Sequence, residues 1–340
     1  MSAATTITAT SAPTTIVTPV SASQGVRSLR PRCVSSTRSL GDSVMPVAYP
    51  ISTCLLVGVT YSILGRDPET GELGVAVQSQ AFNTGAAVPW ALPGVGVIAT
   101  QSFTDRRYGY RGLELLAAGA TPEAALDELR APDTLTGFRQ VAFMDAAGAT
   151  AQWTGDDCIP HAGNAAGENW CAQGNMLAAD AWIAMGDAFT SATGSLAQRL
   201  MAALDAAEAE GGDFRGRGGA GIVVVPAEGE PWERVVDLRV EDGDDSLVEL
   251  RRLLGLAEGY RRANRARPAA PGAAEDGLPD GYVRFLAVLD AAGSGDQEEA
   301  RRRLDALVTE QPLWRGAFAR LAQHPDMPPL GEIIDPQNAQ

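Results

Sequence analysis

The stretch "TYSILGRDPETGELGVAVQSQ", Thr60–Gln80, decides how the rest of the chain is read. "TYSILGR" alternates and is rich in β-formers, which predicts a strand over Thr60–Arg66. "DPETGE" places Asp, Pro and Gly at turn positions. "LGVAVQS" predicts the returning strand, Leu73–Ser79. A hairpin with one residue in two facing the core puts Thr60, Ser62 and Leu64 on a common face.

Working outward, "GVGVIATQS" (Gly94–Ser102) is a continuous apolar run of strand length, suited to a sheet covered on both faces. "YRGLELLAAG" reads as a helix ending at Gly119. "TPEAALDELR" is a second helix, with Thr121 as N-cap and Pro122 at its first position. Strands are expected at Arg139–Asp145 and Ala149–Thr154, joined by "AAG". An irregular loop then leads to "CAQGNML", Cys171–Leu177. Helices are expected at Ala178–Thr190 and Ser195–Glu210, the latter with Leu196, Leu200, Ala203 and Leu204 on one face. "GIVVVPA" and "WERVVDLRV" predict two more strands. A helix from Asp245 to about Arg262 carries the stripe Leu247, Leu250, Leu253 and Leu254.

Helix pairs thus fall between strand pairs rather than after every strand. That order argues against a doubly wound parallel sheet. The expected class is α+β, a four-layer α/β/β/α sandwich spanning residues 60–262. A Pro/Ala/Gly-rich linker follows at 263–281. A small helical appendage is expected at 282–325, with helices at Tyr282–Ala292, Asp296–Glu310 and Leu313–Gln323, and then a tail at 326–340.

Composition narrows the chemistry. The 340 residues carry a formal charge of −15, and all 27 basic residues are Arg. An acidic chain disfavours nucleic acid and anionic membranes as partners. Without Lys there is no phosphate-loop lysine, no Schiff base and no lysine base. The four cysteines (Cys33, Cys54, Cys158, Cys171) form no CxxC pair, so no structural zinc site is expected, and reduced thiols are the simpler reading for a cytoplasmic chain. With only His161 and His324 available, a Ser-His-Asp triad is disfavoured. No apolar run approaches a membrane span.

Residues 1–59 differ from everything after them. They hold 19 Ser/Thr, four Arg and one acid, Asp42. Such a composition cannot bury a core. Three readings stand: a processed leader, a genuine tail, or upstream sequence translated in error. The third is favoured. The Ala/Gly/Arg richness and missing Lys fit a GC-rich bacterial genome, where GTG valine codons serve as starts. If Val59 is the initiator, it is read as Met and trimmed before the small Thr60, and Thr60 becomes residue one.

The hairpin, "VPWALPGVGVIATQS", "YGYRGLELLAAG" and "AQGNML", in that order, resemble the domain of unknown function 1028 family over roughly Thr60–Gly259. The resemblance implies an N-terminal nucleophile hydrolase fold, which agrees with the layer order above. It also implies a start at Met-Thr running straight into the first strand. The C-terminal helices resemble an extension that some members carry, described as a peptidoglycan-binding module.

The resemblance gives Thr60 a chemistry. A threonine hydroxyl needs a base, and an α-amine titrates at about 7.7–8.0, near working pH. As residue one, Thr60 would supply its own base and need neither His nor Lys. With Val59 attached, the nitrogen is an amide and the base is gone. An oxyanion also needs donors. The implied candidates are Ser79, Gln101 and Asn175, with Asn175 preferred because "QGN" forms a bend. Ser62 shares the face of Thr60, and Arg66 or Arg107 would hold a substrate carboxylate. Each has a plainer alternative: Thr60 as a strand start, Ser79 and Gln101 as strand ends, Asn175 as a helix cap. Many N-terminal nucleophile enzymes place an acid or lysine beside the nucleophile; this chain has Gln78 and Ser79 there.

The expected function is cleavage of a linear amide in a small-molecule substrate, with no metal or other cofactor. The alternative is a non-catalytic protein on the same fold that binds a small metabolite or assembles with a partner. A homodimer is compatible with the strand pattern, but no feature fixes the oligomeric state.

Overall fold

The computed structural model describes residues 60–177, 180–265, 278–325, 327–328, 330–331 and 333–334. The expected leader at 1–59, most of the expected linker and much of the expected tail lie outside the described residues. The described chain is a mixed α/β protein with two antiparallel sheets.

The opening hairpin forms as its sequence predicts. β1 (Thr60–Arg66) pairs with β2 (Leu73–Ser79), and Asp67 closes the turn by accepting hydrogen bonds from the Glu69 and Thr70 amides. The chain then runs through α1 (Thr84–Ala87), β3 (Pro89–Leu92), β4 (Gly96–Ser102), α2 (Arg106–Ala117) and α3 (Pro122–Arg130). The Thr121 hydroxyl caps α3 by accepting from the Ala124 amide, with Pro122 at the first position. β5 (Arg139–Asp145), β6 (Thr150–Thr154), β7 (Gly163–Gly167) and β8 (Trp170–Asn175) precede α4 (Ala181–Ser191) and α5 (Leu196–Ala209). A reciprocal cap between Ser195 and Gln198 starts α5. β9 (Gly219–Val225), β10 (Val236–Val240) and α6 (Ser246–Arg265) follow, and α7 (Asp280–Gly293), α8 (Gln297–Glu310) and α9 (Leu313–Leu321) are the last elements among the described residues.

One sheet has the strand order β10-β9-β2-β1-β8-β7 and the other β3-β4-β5-β6. β1 sits inside the larger sheet, with Thr60 opposite Ser79 on one side and opposite Asn175 on the other.

Strand alternation sorts the side chains into separate clusters. From the larger sheet, Tyr61, Ile63, Ala76 and Ile222 pack with Leu200 and Leu204 of α5 and Leu250 of α6. The alternate residues Leu64, Leu73, Val75, Val77 and Val223 pack with Val97, Ala99, Ala142 and Met144 of the smaller sheet. Ile98 and Phe143, on the other face of the smaller sheet, pack with Tyr108 and Leu113 of α2 and Leu126 of α3. The expected stripes of α5 and α6 are therefore core-facing. Trp90 and Trp153 are partly buried members of the α2/α3 cluster. A further cluster joins α7, α8 and α9 through Leu289, Leu304, Leu307 and Phe318. Tyr260 of α6 touches Tyr282 of α7 with ring centroids 4.6 Å apart.

Two strands were not expected from the sequence, and both are edge strands. β3 begins with Pro89, which lacks an amide proton and is tolerated at an edge. β7 reads "GNAAG", which has little intrinsic strand preference and is held by pairing with β8. The strand expected from Trp232 starts only at Val236; Trp232 itself is exposed.

Candidate active site

The faces that pack the two sheets together are apolar at one end and polar at the other. Along β2, Leu73, Val75 and Val77 are followed by Ser79. On β4, Val97 and Ala99 are followed by Gln101; on antiparallel β5, Met144 and Ala142 are followed by Gln140. On β1, Leu64 gives way to Ser62 and Thr60, and β8 contributes Gln173 and Asn175. All seven polar side chains are buried. Hydrophobic sheet packing thus delivers one cluster of neutral polar groups around Thr60.

The hydrogen bonds of Gln140 orient that cluster. Its amide nitrogen donates to the carbonyls of Gly174 (2.8 Å) and Gly163 (3.1 Å) and to Thr154 Oγ1 (3.1 Å). Carbonyls only accept, so Gln140 must turn its oxygen toward Gln101 and Asn175. That oxygen accepts from Gln101 Nε2 (2.8 Å) and Asn175 Nδ2 (2.9 Å). Gln101 Nε2 also donates to the Thr60 carbonyl (3.0 Å), while Gln101 Oε1 accepts from the Ser62 hydroxyl (2.8 Å). Asn175 Nδ2 reaches the Thr60 carbonyl at 3.5 Å. Gln173 Nε2 donates to Ser62 Oγ and to the Ala99 carbonyl, both at 3.3 Å.

A primary amide has two protons. Both protons of Gln101 and both of Asn175 are engaged, so neither offers the spare donor expected of an oxyanion hole. The free capacity of the cluster is of the opposite kind: Asn175 Oδ1 and Gln173 Oε1 are buried acceptors with no partner among the described residues.

The Thr60 hydroxyl donates to Ser79 Oγ (3.2 Å), which also accepts from the Ala81 amide (3.1 Å). Thr60 is only 5% exposed, yet it lines a pocket of about 280 Å³. The walls include Phe82, Asn83, Val88, Ser102 and Arg106. Asn83 and Ser102 both have φ of 64°, a left-handed conformation that non-glycine residues adopt at a cost and that clusters at functional sites.

The structure brings Thr60, Ser62, Ser79, Gln101 and Asn175 together. It does not bring Arg66 to them. Arg66 ends β1, six residues from Thr60 or about 20 Å along the strand, where it donates to the Ala146 carbonyl (2.9 Å) and Asn169 Oδ1 (3.4 Å). Arg107 is turned onto Asp105, with Nη2 2.5 Å from the carboxylate; its neighbour Arg106 is the one that lines the pocket. A helix turns about 100° per residue, and a one-residue difference decides which side chain faces the pocket.

Gln140, Ser102, Asn83, Phe82 and Arg106 went unrecognised at the sequence level. Gln140 had a signal: in "RQVAFMD" it shares the core-facing phase of Ala142 and Met144, and a buried strand Gln needs partners. Asn83 and Phe82 reach the pocket through loop geometry that no periodicity encodes, and Arg106 through the phase of α2.

Beside the pocket, Arg139 binds Asp133 (2.8 Å) and approaches Asp105 (3.5 Å), and the Tyr108 hydroxyl donates to Asp133 (3.0 Å). Burial by itself would raise the Asp133 carboxyl; the bonds from Arg139 and the Leu135 amide outweigh it and hold the carboxyl below its usual range. Asp105 is lowered in the same way, burial being outweighed by Arg107 and Arg139. Burial, followed by the bond to Asp133, raises the Tyr108 phenol. Cys158 and Cys171 are free and buried, and burial raises both thiols. Among the described residues no cluster of three or more His, Cys, Asp or Glu forms a metal-binding group. No helix among them is long and apolar enough to cross a membrane.

The sequence model of the family of unknown function DUF1028 matches residues 60–250. The chain belongs to that family. The DUF1028 match opens on Thr60 and spans every strand and helix that contributes to the pocket. The crystal structure of a DUF1028 protein from Silicibacter pomeroyi is similar, with 28% identity and a TM-score of 0.55. The alignment covers 68% of this chain and 91% of that one. No curated protein matches the chain.

Proposed function

We propose that the protein is a cytoplasmic amidohydrolase of the N-terminal nucleophile type, with Thr60 as nucleophile and its own α-amine as base. On this reading the two sheets and their outer helices form a four-layer α/β/β/α sandwich. The three clusters that pair helices with sheet, sheet with sheet, and sheet with helices support that layer order. The observation that carries the function is the placement of Thr60. It is the first residue of the family match, it lines the pocket, and its carbonyl is held by two amides fixed from behind by Gln140.

The surroundings described for Thr60 are neutral. Ser79 orients the hydroxyl, and Gln101 and Asn175 hold the carbonyl; none is a base near neutral pH. A free α-amine would supply both what is missing chemically and a donor beside the unpaired Asn175 Oδ1. In the proposed reaction the Thr60 oxygen attacks the amide carbon while the amine takes the hydroxyl proton. The carbon–nitrogen bond then breaks as that proton passes to the leaving amine. Water hydrolyses the resulting ester. Since Gln101 and Asn175 have no free protons, we assign the oxyanion donor to Asn83, a residue of the pocket wall.

The test is intact mass with N-terminal sequencing on protein from the native host. A chain beginning at Thr60 with a free amine supports the mechanism. A mature chain that retains residues 1–59 removes the base and refutes it, leaving a small-molecule-binding protein on the same fold.

A further inference from the structure

Among the described residues, the pocket wall has one charged side chain, Arg106. The neighbouring acids Asp105 and Asp133 are already committed. Asp105 is held by Arg107 at 2.5 Å and approached by Arg139 at 3.5 Å, and Asp133 is held by Arg139 at 2.8 Å. Arg106 itself makes no hydrogen bond or ion pair among the described residues. Arg106 is solvent-exposed at the pocket wall, so its guanidinium fork is left available to an anionic ligand.

The other walls have a different character. Phe82 is 70% exposed although it is a large aromatic ring, and it lines the same pocket with Ala87 and Val88. The Asn83 backbone at φ 64° sets the turn that carries Phe82. The pocket lining thus combines a threonine, a cationic side chain and an apolar aromatic surface. A volume of about 280 Å³ admits one small ligand rather than a folded chain.

We propose that the pocket binds a small monocarboxylate carrying an apolar or aryl group, of the N-acyl amino acid class. The carboxylate pairs with the Arg106 fork, the apolar group lies against Phe82, Ala87 and Val88, and the acyl carbonyl is left toward Thr60. This rests on reading the pocket as the substrate site; it does not require Thr60 to be a nucleophile. The nearby Arg107, already paired, plays no part.

The test is isothermal titration of the full chain with N-acetyl-phenylalanine and, separately, with its neutral analogue N-acetyl-phenylalaninamide. The wild type is expected to prefer the acid. Arg106→Gln should weaken the acid by about tenfold or more, the loss of a charge-assisted bidentate contact, and should leave the amide unchanged. Arg107→Gln should bind the acid as the wild type does. Equal affinity for acid and amide, no affinity for the acid, or full affinity in Arg106→Gln would each overturn the assignment. The two proposals fail separately. Acid binding without any turnover ends the nucleophile reading alone. Turnover of N-acyl amino acids that is indifferent to Arg106→Gln ends the carboxylate reading alone.

Discussion

Replacing Gln140 by Leu tests whether the amide cluster holds the two sheets in place. The side chains are similar in size, so the change removes hydrogen bonds more than volume. Five groups lose a partner: Gln101 Nε2, Asn175 Nδ2, Thr154 Oγ1 and the carbonyls of Gly163 and Gly174; Thr154 Oγ1 still accepts from Asn164, so four are counted. At about 1 kcal/mol each, the low end for a buried group left unsatisfied, the loss is about 4 kcal/mol. The better burial of Leu returns about 1 kcal/mol, which leaves a net loss of about 3 kcal/mol. For a domain of this size that lowers Tm by about 6–12 °C. The matched control is Gln152→Leu, which removes a single bond to the Ala172 carbonyl (2.9 Å) and should cost about 1 kcal/mol. Differential scanning calorimetry on both variants gives the comparison. If Gln140→Leu melts no lower than Gln152→Leu, Gln140 is not the organiser of the site and the assignment of amide orientations fails with it.

Thr60→Ala should abolish amide cleavage while shifting Tm by no more than about 2–4 °C, since it removes one hydroxyl bond to Ser79; retained turnover would exclude Thr60 as the nucleophile. Gly112→Ala should lower stability by about 1–3 kcal/mol, because its Cβ would lie 2.5 Å from the Phe143 ring and 2.6 Å from Ile98, and urea unfolding measures this. The depressed carboxyls of Asp133 and Asp105 contribute stability that is present above their unfolded value of about 3.9 and is lost as pH falls through the lower folded value. Asp133→Asn should therefore be less stable than the wild type at pH 7 and show a shallower loss on acidification below about pH 4; parallel pH profiles of the two proteins would show that the Arg139 pair is not linked to folding.

Local pattern was enough for the elements that build the core. The Thr60–Ser79 hairpin and the strand at Arg139–Asp145 follow from short β-rich runs, buried on both faces, and the stripes of α5 and α6 from period-3.6 burial. Strand alternation put Thr60 and Ser62 on a shared face. The edge strands β3 and β7 were not legible, because partners supply their pairing and their own residues do not favour it.

The candidate site divides in the same way. That the chain lacks lysine, has two histidines and carries a threonine at the head of its first strand is a property of the sequence alone, and it restricts the available bases before any fold is known. Which groups surround that threonine was decided by the packing of two sheets. Gln101 and Gln140 are 39 residues apart and Asn175 is another 35 beyond, yet their amides meet because antiparallel register and the apolar inter-sheet face bring three strand ends to one place. The direction of each amide is likewise tertiary. Asn175 looks like a donor in the sequence, but two backbone carbonyls orient Gln140, Gln140 takes an Asn175 proton, and an acceptor is what remains. Arg106 rather than Arg107 faces the pocket for a comparable reason: helix phase relative to the sheet is set by the Tyr108 and Leu113 contacts in the core, not by the two identical residues themselves.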